Sequence, residues 1–189
     1  MGRDRFATVR AVSILVALTV AVVGGWAFSR SSDDGGSTYA PVDSIPVNTD
    51  TTGEAFPFVE VQNLEGETVS LSTSETRPMV VNFWFSTCEP CKREMPALAE
   101  AAAAQEGRVD FVGINTADGA DAARRFMDEH GVAYPNYLDD GDQTAAARVA
   151  TMPTTFFLAS DGTIVAREAG EMTAEELATR IDDLLRTGN

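Results

Sequence analysis

The chain has 189 residues, enough for one domain with its own hydrophobic core. It therefore does not need the disulfide staples of very small secreted domains. Formal charge is −15 and unevenly placed: residues 1–30 carry four Arg and one Asp, net +3, whereas residues 31–189 carry 10 basic and 28 acidic side chains, net −18. An acidic body of this kind repels nucleic acid and argues against it as a partner.

The N-terminus is a segment of its own. Arg3, Arg5 and Arg10 precede "AVSILVALTVAVVGGWAF", residues 11–28, which contains no charge. As a helix this run spans roughly 27 Å, close to the thickness of a bilayer core. Arginines on its N-terminal side predict that this end stays in the cytoplasm and the body lies outside it. The run reads as a retained single-pass anchor over residues 1–28, with a cleaved signal peptide as the alternative. Residues 29–54 are rich in Ser, Asp, Gly, Thr and Pro and read as a flexible tether.

The folded part is expected over residues 55–189. "FPFVEVQNLEGETVSL", 56–71, alternates apolar and polar around a turn and predicts a β-hairpin. The continuous apolar runs at 78–85 and 109–116 predict strands covered on both faces. Between them, 91–107 predicts a helix closed by Gly107 and kinked at Pro96. A second helix is expected over 119–132, with Phe126 and Met127 inward and Gly131 as its stop, then a short extended piece at 134–139 and a short helix over 142–151. Asp161-Gly162 predicts a hairpin between "TTFFLAS" and "TIVAREAG". The last helix, 173–187, opens on a Thr173/Glu176 capping box and buries Leu177, Ile181, Leu184 and Leu185. This order predicts an α/β fold with a mixed central sheet and helices on both faces.

Cys88 and Cys91 are the chain's only cysteines, two residues apart in "STCEPCKREMP". Together with the single His130, a helix-end residue, they fall short of a four-ligand zinc site. Covalent haem attachment needs His directly after the second Cys, and Lys92 stands there. No metal or cofactor is called for. What remains is a redox dithiol or a static bridge, and so short a loop gains little as a staple. The pair lies where a buried strand gives way to a helix. Orphan N–H groups and the positive dipole end there favour a thiolate on Cys88, which makes it the nucleophile and Cys91, one turn further in, the resolving thiol.

At this point residues 55–187 resemble the thioredoxin fold and, within it, the TlpA/ResA-like membrane-anchored thiol-disulfide oxidoreductases. "VVNFWFSTCEPCKREMP" looks like the family's strand-loop-helix active site. "GVAYPNYLDD" resembles the segment after the family's inserted helix, "MPTTFFLASDGTIV" its cis-proline strand and hairpin, and "GEMTAEEL" its approach to the last helix. The resemblance implies that Pro153 is the cis-proline and that Met152 before it meets substrate, where the alternative is a core methionine. It also implies that Glu94 is an active-site carboxylate, where the alternative is an ordinary surface charge. Two positions depart from the pattern. Thr87, at the substrate-facing rim, replaces the Trp usual before the first Cys. Asn82 stands where thioredoxins bury an Asp, and Asn cannot take a proton.

The implied function is reduction of disulfides in client proteins, such as apocytochrome c before haem attachment. Electrons would come from a membrane thiol transporter of the CcdA type, with catalysis on the extracytoplasmic side. Two other readings stay open: a disulfide-forming oxidant for exported proteins, and a non-enzymatic tethered binding domain whose Cys88–Cys91 bridge is static.

Overall fold

The computed structural model describes residues 50–188. The run at 11–28 and most of the expected tether lie outside them. Among the described residues no helix is long and apolar enough to cross a membrane.

Seven strands form one mixed sheet in the order β2-β1-β5-β4-β3-β6-β7. The strands are β1 (Glu60–Gln62), β2 (Thr68–Ser70), β3 (Met79–Trp84), β4 (Asp110–Asn115), β5 (Asn136–Leu138), β6 (Thr154–Leu158) and β7 (Ile164–Ala169). The helices are α1 (Glu89–Ala104), α2 (Ala120–His130), α3 (Asp142–Ala146) and α4 (Ala174–Thr187). Strands β3, β4 and β5 run parallel, and every other pairing is antiparallel. All six residues of β3 are buried, as its continuous apolar run predicts, and so are all five of β6.

Alternation along β3 sorts the core into two halves. Val80 and Trp84 face a cluster with Cys88, Cys91, Met95 and Leu98 of α1 and its approach, Phe126 of α2, and Leu177, Ile181 and Leu184 of α4. Val81 and Phe83 face the other side, where Phe56, Ala147, Val149 and Phe156 cover them. Trp84 stacks on Phe126 with ring centroids 4.6 Å apart, and its Nε1 donates to Asn136 Oδ1 at 2.9 Å. That hydrogen bond passes over Gly113, where a Cβ would sit 1.7 Å from Asn136 Oδ1 and 2.9 Å from Trp84 Nε1. Only glycine fits there.

Two helix ends and one buried position differ from expectation. The active helix ends at Ala104, short of Gly107, and continues through Pro96, whose ring points to solvent. The helix expected over 142–151 stops at Ala146, because Arg148 takes a left-handed φ of 52° and turns the chain toward β6. Leu185 is only half-buried, so Leu177, Ile181 and Leu184 alone form the fully buried stripe of α4. Gly131 does close α2, at φ 69°, and the Thr173/Glu176 capping box is formed.

Both ends of the described chain are docked beside the β6–β7 hairpin. Thr51 is buried, Gly53 N donates to Ile164 O at 2.8 Å, and Phe56 N donates to Gly162 O at 2.9 Å. At the other end, Ser160 N donates to Gly188 O at 2.8 Å. The folded body thus begins within the last residues of the expected tether.

Candidate active site

Strand β3 delivers the chain to the site. After Trp84 a short loop, 85–88, leads into α1 with Cys88 as its N-cap and Pro90 in the first turn, where a missing N–H is tolerated. Cys88 and Cys91 are joined, with sulfurs 2.09 Å apart. Cys88 Sγ also accepts a hydrogen bond from Cys91 N at 3.2 Å, so the sulfur occupies the position of a capping oxygen. Cys88 is 5% exposed and Cys91 1%, which leaves Cys88 the more accessible of the two.

Beside the pair lies a buried polar triad. Glu94 follows Cys91 by three residues, one helical turn, and is 2% exposed, so it is no surface charge. Its Oε1 accepts from Met172 N at 3.1 Å, and its Oε2 faces Asn82 Nδ2 at 3.4 Å. Asn82 Nδ2 also donates to Thr155 Oγ1 at 2.9 Å, across the β3–β6 pairing. Burial dominates the balance and pushes the Glu94 carboxyl up to about 7, against the pull of the two hydrogen bonds, with Glu171 adding repulsion. The dithiol therefore sits next to an acid that titrates near neutrality.

A second network holds the loop before Cys88. Asp118 accepts from Ser86 N and Ser86 Oγ, each at 2.6 Å, and from Asn115 Nδ2 at 2.7 Å. These donors hold its carboxyl below the usual range although partial burial pushes it up. Thr116 N adds a hydrogen bond to Trp84 O at 3.0 Å. Sequence reasoning missed Asp118. The usable signal was an Asn115-x-x-Asp118 pair straight after a buried parallel strand, at the carboxyl edge where functional loops gather.

The remaining expected residues fall at the same edge of the sheet. The Met152–Pro153 bond is cis, Pro153 is buried, and its carbonyl accepts from Gly170 N at 2.8 Å. Because Thr154 pairs with Phe83, Pro153 lies beside the end of β3 that feeds the cysteine loop. Met152 is half-buried and packs against both core clusters, the one holding Cys88 and Cys91 included. Thr87 is exposed next to Cys88. Glu89 pairs with Lys92 at 2.6 Å, and Arg93 with Glu171 at 2.8 Å, both in solvent. His130 stacks on Phe126, and its Nδ1 lies 2.8 Å from Phe126 O. Among the described residues no cluster of His, Cys, Asp and Glu could hold a metal ion.

A Cys-x-x-Cys bridge capping the helix after a central parallel strand, with a cis-proline on the neighbouring strand, defines the thioredoxin-fold class of dithiol proteins. Residues 51–185 match the Redoxin family model, and the chain belongs to that family. The thiol-disulfide oxidoreductase ResA of Halalkalibacterium halodurans is 30% identical over 135 residues, 70% of this chain and 76% of that protein. ResA of Bacillus subtilis is 32% identical over 123 residues, 64% of this chain and 69% of its own. Among solved structures, a secreted Mycobacterium tuberculosis disulfide oxidoreductase homologous to E. coli DsbE aligns with a TM-score of 0.60. It shares 29% identity and covers 66% of this chain and 95% of that one. The chain is a TlpA/ResA-like thiol-disulfide oxidoreductase, and a static bridge no longer describes its cysteines.

Proposed function

We propose that the protein works as a reductant outside the cytoplasm, held to the membrane by residues 11–28 and tethered by the segment that follows, and that its client is a protein disulfide such as that of apocytochrome c. Reduced Cys88 attacks one client sulfur as a thiolate, forming a mixed disulfide and expelling the other client sulfur as a thiol. Cys91 then attacks Cys88 Sγ, closes the Cys88–Cys91 bridge and releases the second client thiol. Two electrons pass to the client, and a CcdA-type membrane dithiol restores the pair, becoming oxidised in turn. Pro153 and Met152 present an extended edge to the client, and Thr87 borders the approach to Cys88.

The observation that carries this reading is the buried carboxyl of Glu94 one helical turn from Cys91. A strong oxidant stabilises its reduced form through a low-pKa thiolate. The helix N-terminus and the Cys91 N–H pull that way here, by an amount on the order of 1 kcal/mol. A nearby buried carboxylate opposes a thiolate by about 1–3 pKa units, which outweighs the dipole. Lys92 and Arg93 are already paired with Glu89 and Glu171 and add little. The mycobacterial neighbour is named as secreted, which supports export of this chain; the names of the relatives say thiol-disulfide exchange and carry no direction.

The test is equilibration of the full chain, in membranes, against defined thiol-disulfide buffers. The expected potential is nearer roughly −270 mV than −120 mV, and Glu94→Gln is expected to shift it upward. A value near the oxidising end, or recovery of the protein only in the soluble exported fraction, overturns the direction or the anchor respectively.

A further inference from the structure

Asn82 stands between two groups whose needs change with one proton. Its side chain is almost fully buried on β3, between Thr155 of β6 and Glu94 of α1. In the orientation seen, Nδ2 donates to Thr155 Oγ1 and toward Glu94 Oε2, while Oδ1 meets no hydrogen-bond partner among the described residues. Both polar neighbours of Glu94 are then donors, Met172 N on one oxygen and Asn82 Nδ2 on the other. This arrangement suits a carboxylate. A protonated Glu94 carries an O–H that needs an acceptor, and an amide N–H₂ facing it offers none.

An Asn side chain can supply either. Turning the amide by about 180° exchanges Oδ1 and Nδ2 with almost no change of shape. Oδ1 then accepts from the Glu94 acid and from the Thr155 hydroxyl, which donates as readily as it accepts. In each orientation one amide atom faces the same unpartnered place: the carbonyl oxygen as seen, the NH₂ after the turn, so the turned state is stabilised by the acid proton on Glu94 and not by this side. An Asp here would bring a second titrating carboxyl, and an aliphatic residue would match neither state.

We propose that Asn82 is a positioning residue that follows the proton on Glu94: its amide donates to the carboxylate, turns to accept from the acid, and Thr155 reverses its hydrogen bond with it. This rests on Glu94 being the acid coupled to the dithiol, as proposed above. Glu94 titrates close to neutrality, so both arrangements are populated in the working range. The other ionisable groups around it are Glu171 ahead of α4, itself paired with Arg93 of α1, Tyr134 ahead of β5, and the cysteines at the start of α1. A responsive amide keeps the proton affinity of Glu94 from being fixed by a one-sided donor.

The experiment uses the full chain, ¹³C/¹⁵N-labelled, oxidised and in detergent micelles. At about pH 9, well above the titration of Glu94, nuclear Overhauser contacts are expected from the Asn82 Nδ2 protons to Thr155 and Glu94 side-chain protons. At about pH 5 they are expected to be lost, with the midpoint of the Glu94 carboxyl ¹³C shift. In Glu94→Gln the contacts should not change with pH. Identical contacts at both pH values in the native chain, or pH-dependent ones in Glu94→Gln, overturn the proposal. A second measurement needs no contact map. Loss of a fixed donor in Asn82→Leu would raise the Glu94 midpoint by about one to two units, whereas loss of a turning amide leaves it within about half a unit. A rise of the larger size also overturns it. The potential is then followed against pH in the native chain and in Glu94→Gln. If no inflection depends on Glu94, the coupling to the dithiol fails and the positioning role with it. If the inflection is present but the Asn82 contacts are constant, only the turning amide fails.

Discussion

At the scale of single residues, the site combines a slightly exposed cysteine, a fully covered one and one acid without a cationic partner. Cys91→Ser is expected to accumulate mixed disulfides between Cys88 and client, and Cys88→Ser to accumulate none. Non-reducing electrophoresis after acid quenching reads this, and the reverse pattern would exchange the two roles. Glu94 also marks stability. Its folded pKa of about 7 lies above the ordinary 4.5, so between these values the folded state holds a proton that the unfolded chain has lost. Its contribution therefore falls as pH rises through that window and levels off above it, by an amount on the order of 3 kcal/mol. Urea unfolding between about pH 4.5 and 8 should show this decline in the native chain and a flatter profile in Glu94→Gln.

At the scale of elements, the site depends on how closely β3, β4 and β5 approach. Gly113→Ala places a methyl group into the Trp84–Asn136 hydrogen bond. The two side chains must then separate or the strands must shift, at a cost of about 1–3 kcal/mol or more. A lowered melting temperature with a red-shifted Trp emission would report it. Thr173→Ala, by contrast, removes only the α4 cap and should cost about 1 kcal/mol with no change at Trp84. Much of this architecture was legible in the sequence. Buried strands, the Asp161-Gly162 turn, the Gly131 stop and the capping box each rest on local chemistry that a short window contains. The cysteine pair was legible for the same reason, whereas the cis-proline and the active-site role of Glu94 came only through the family resemblance. What the local sequence leaves open or misses depends on distant partners. Glu94 reads equally well as helix-surface charge until Asn82 and Met172 close over it. Asp118 becomes part of the site only when β4 lies beside β3. The short helix ends early because Arg148 must turn the chain into β6, which no periodicity within 142–151 encodes.

At the scale of the whole molecule, the sequence puts a net charge of −18 on residues 31–189, the stretch that carries the reactive spot. Exchange with a basic disulfide peptide should outpace exchange with an acidic one by about tenfold at low ionic strength, and the gap should close near 0.5 M salt, at about one-half of the physiological screening length. Stopped-flow measurement of Trp84 emission with the two peptides checks this, and equal rates at low salt would deny the field any steering role.

The cysteines sit at the carboxyl end of β3, while the two docked ends of the described chain both bind the β6–β7 turn, at the opposite end of the sheet. Leu158 pairs with Met79 and Thr154 with Phe83, so roughly the full length of β3, about 17 Å, separates the two poles. The domain is thus built like a plug with both leads on its back. Insertion through residues near Thr51 and Gly188 into a surface loop of an unrelated host is expected to leave the reactive face uncovered.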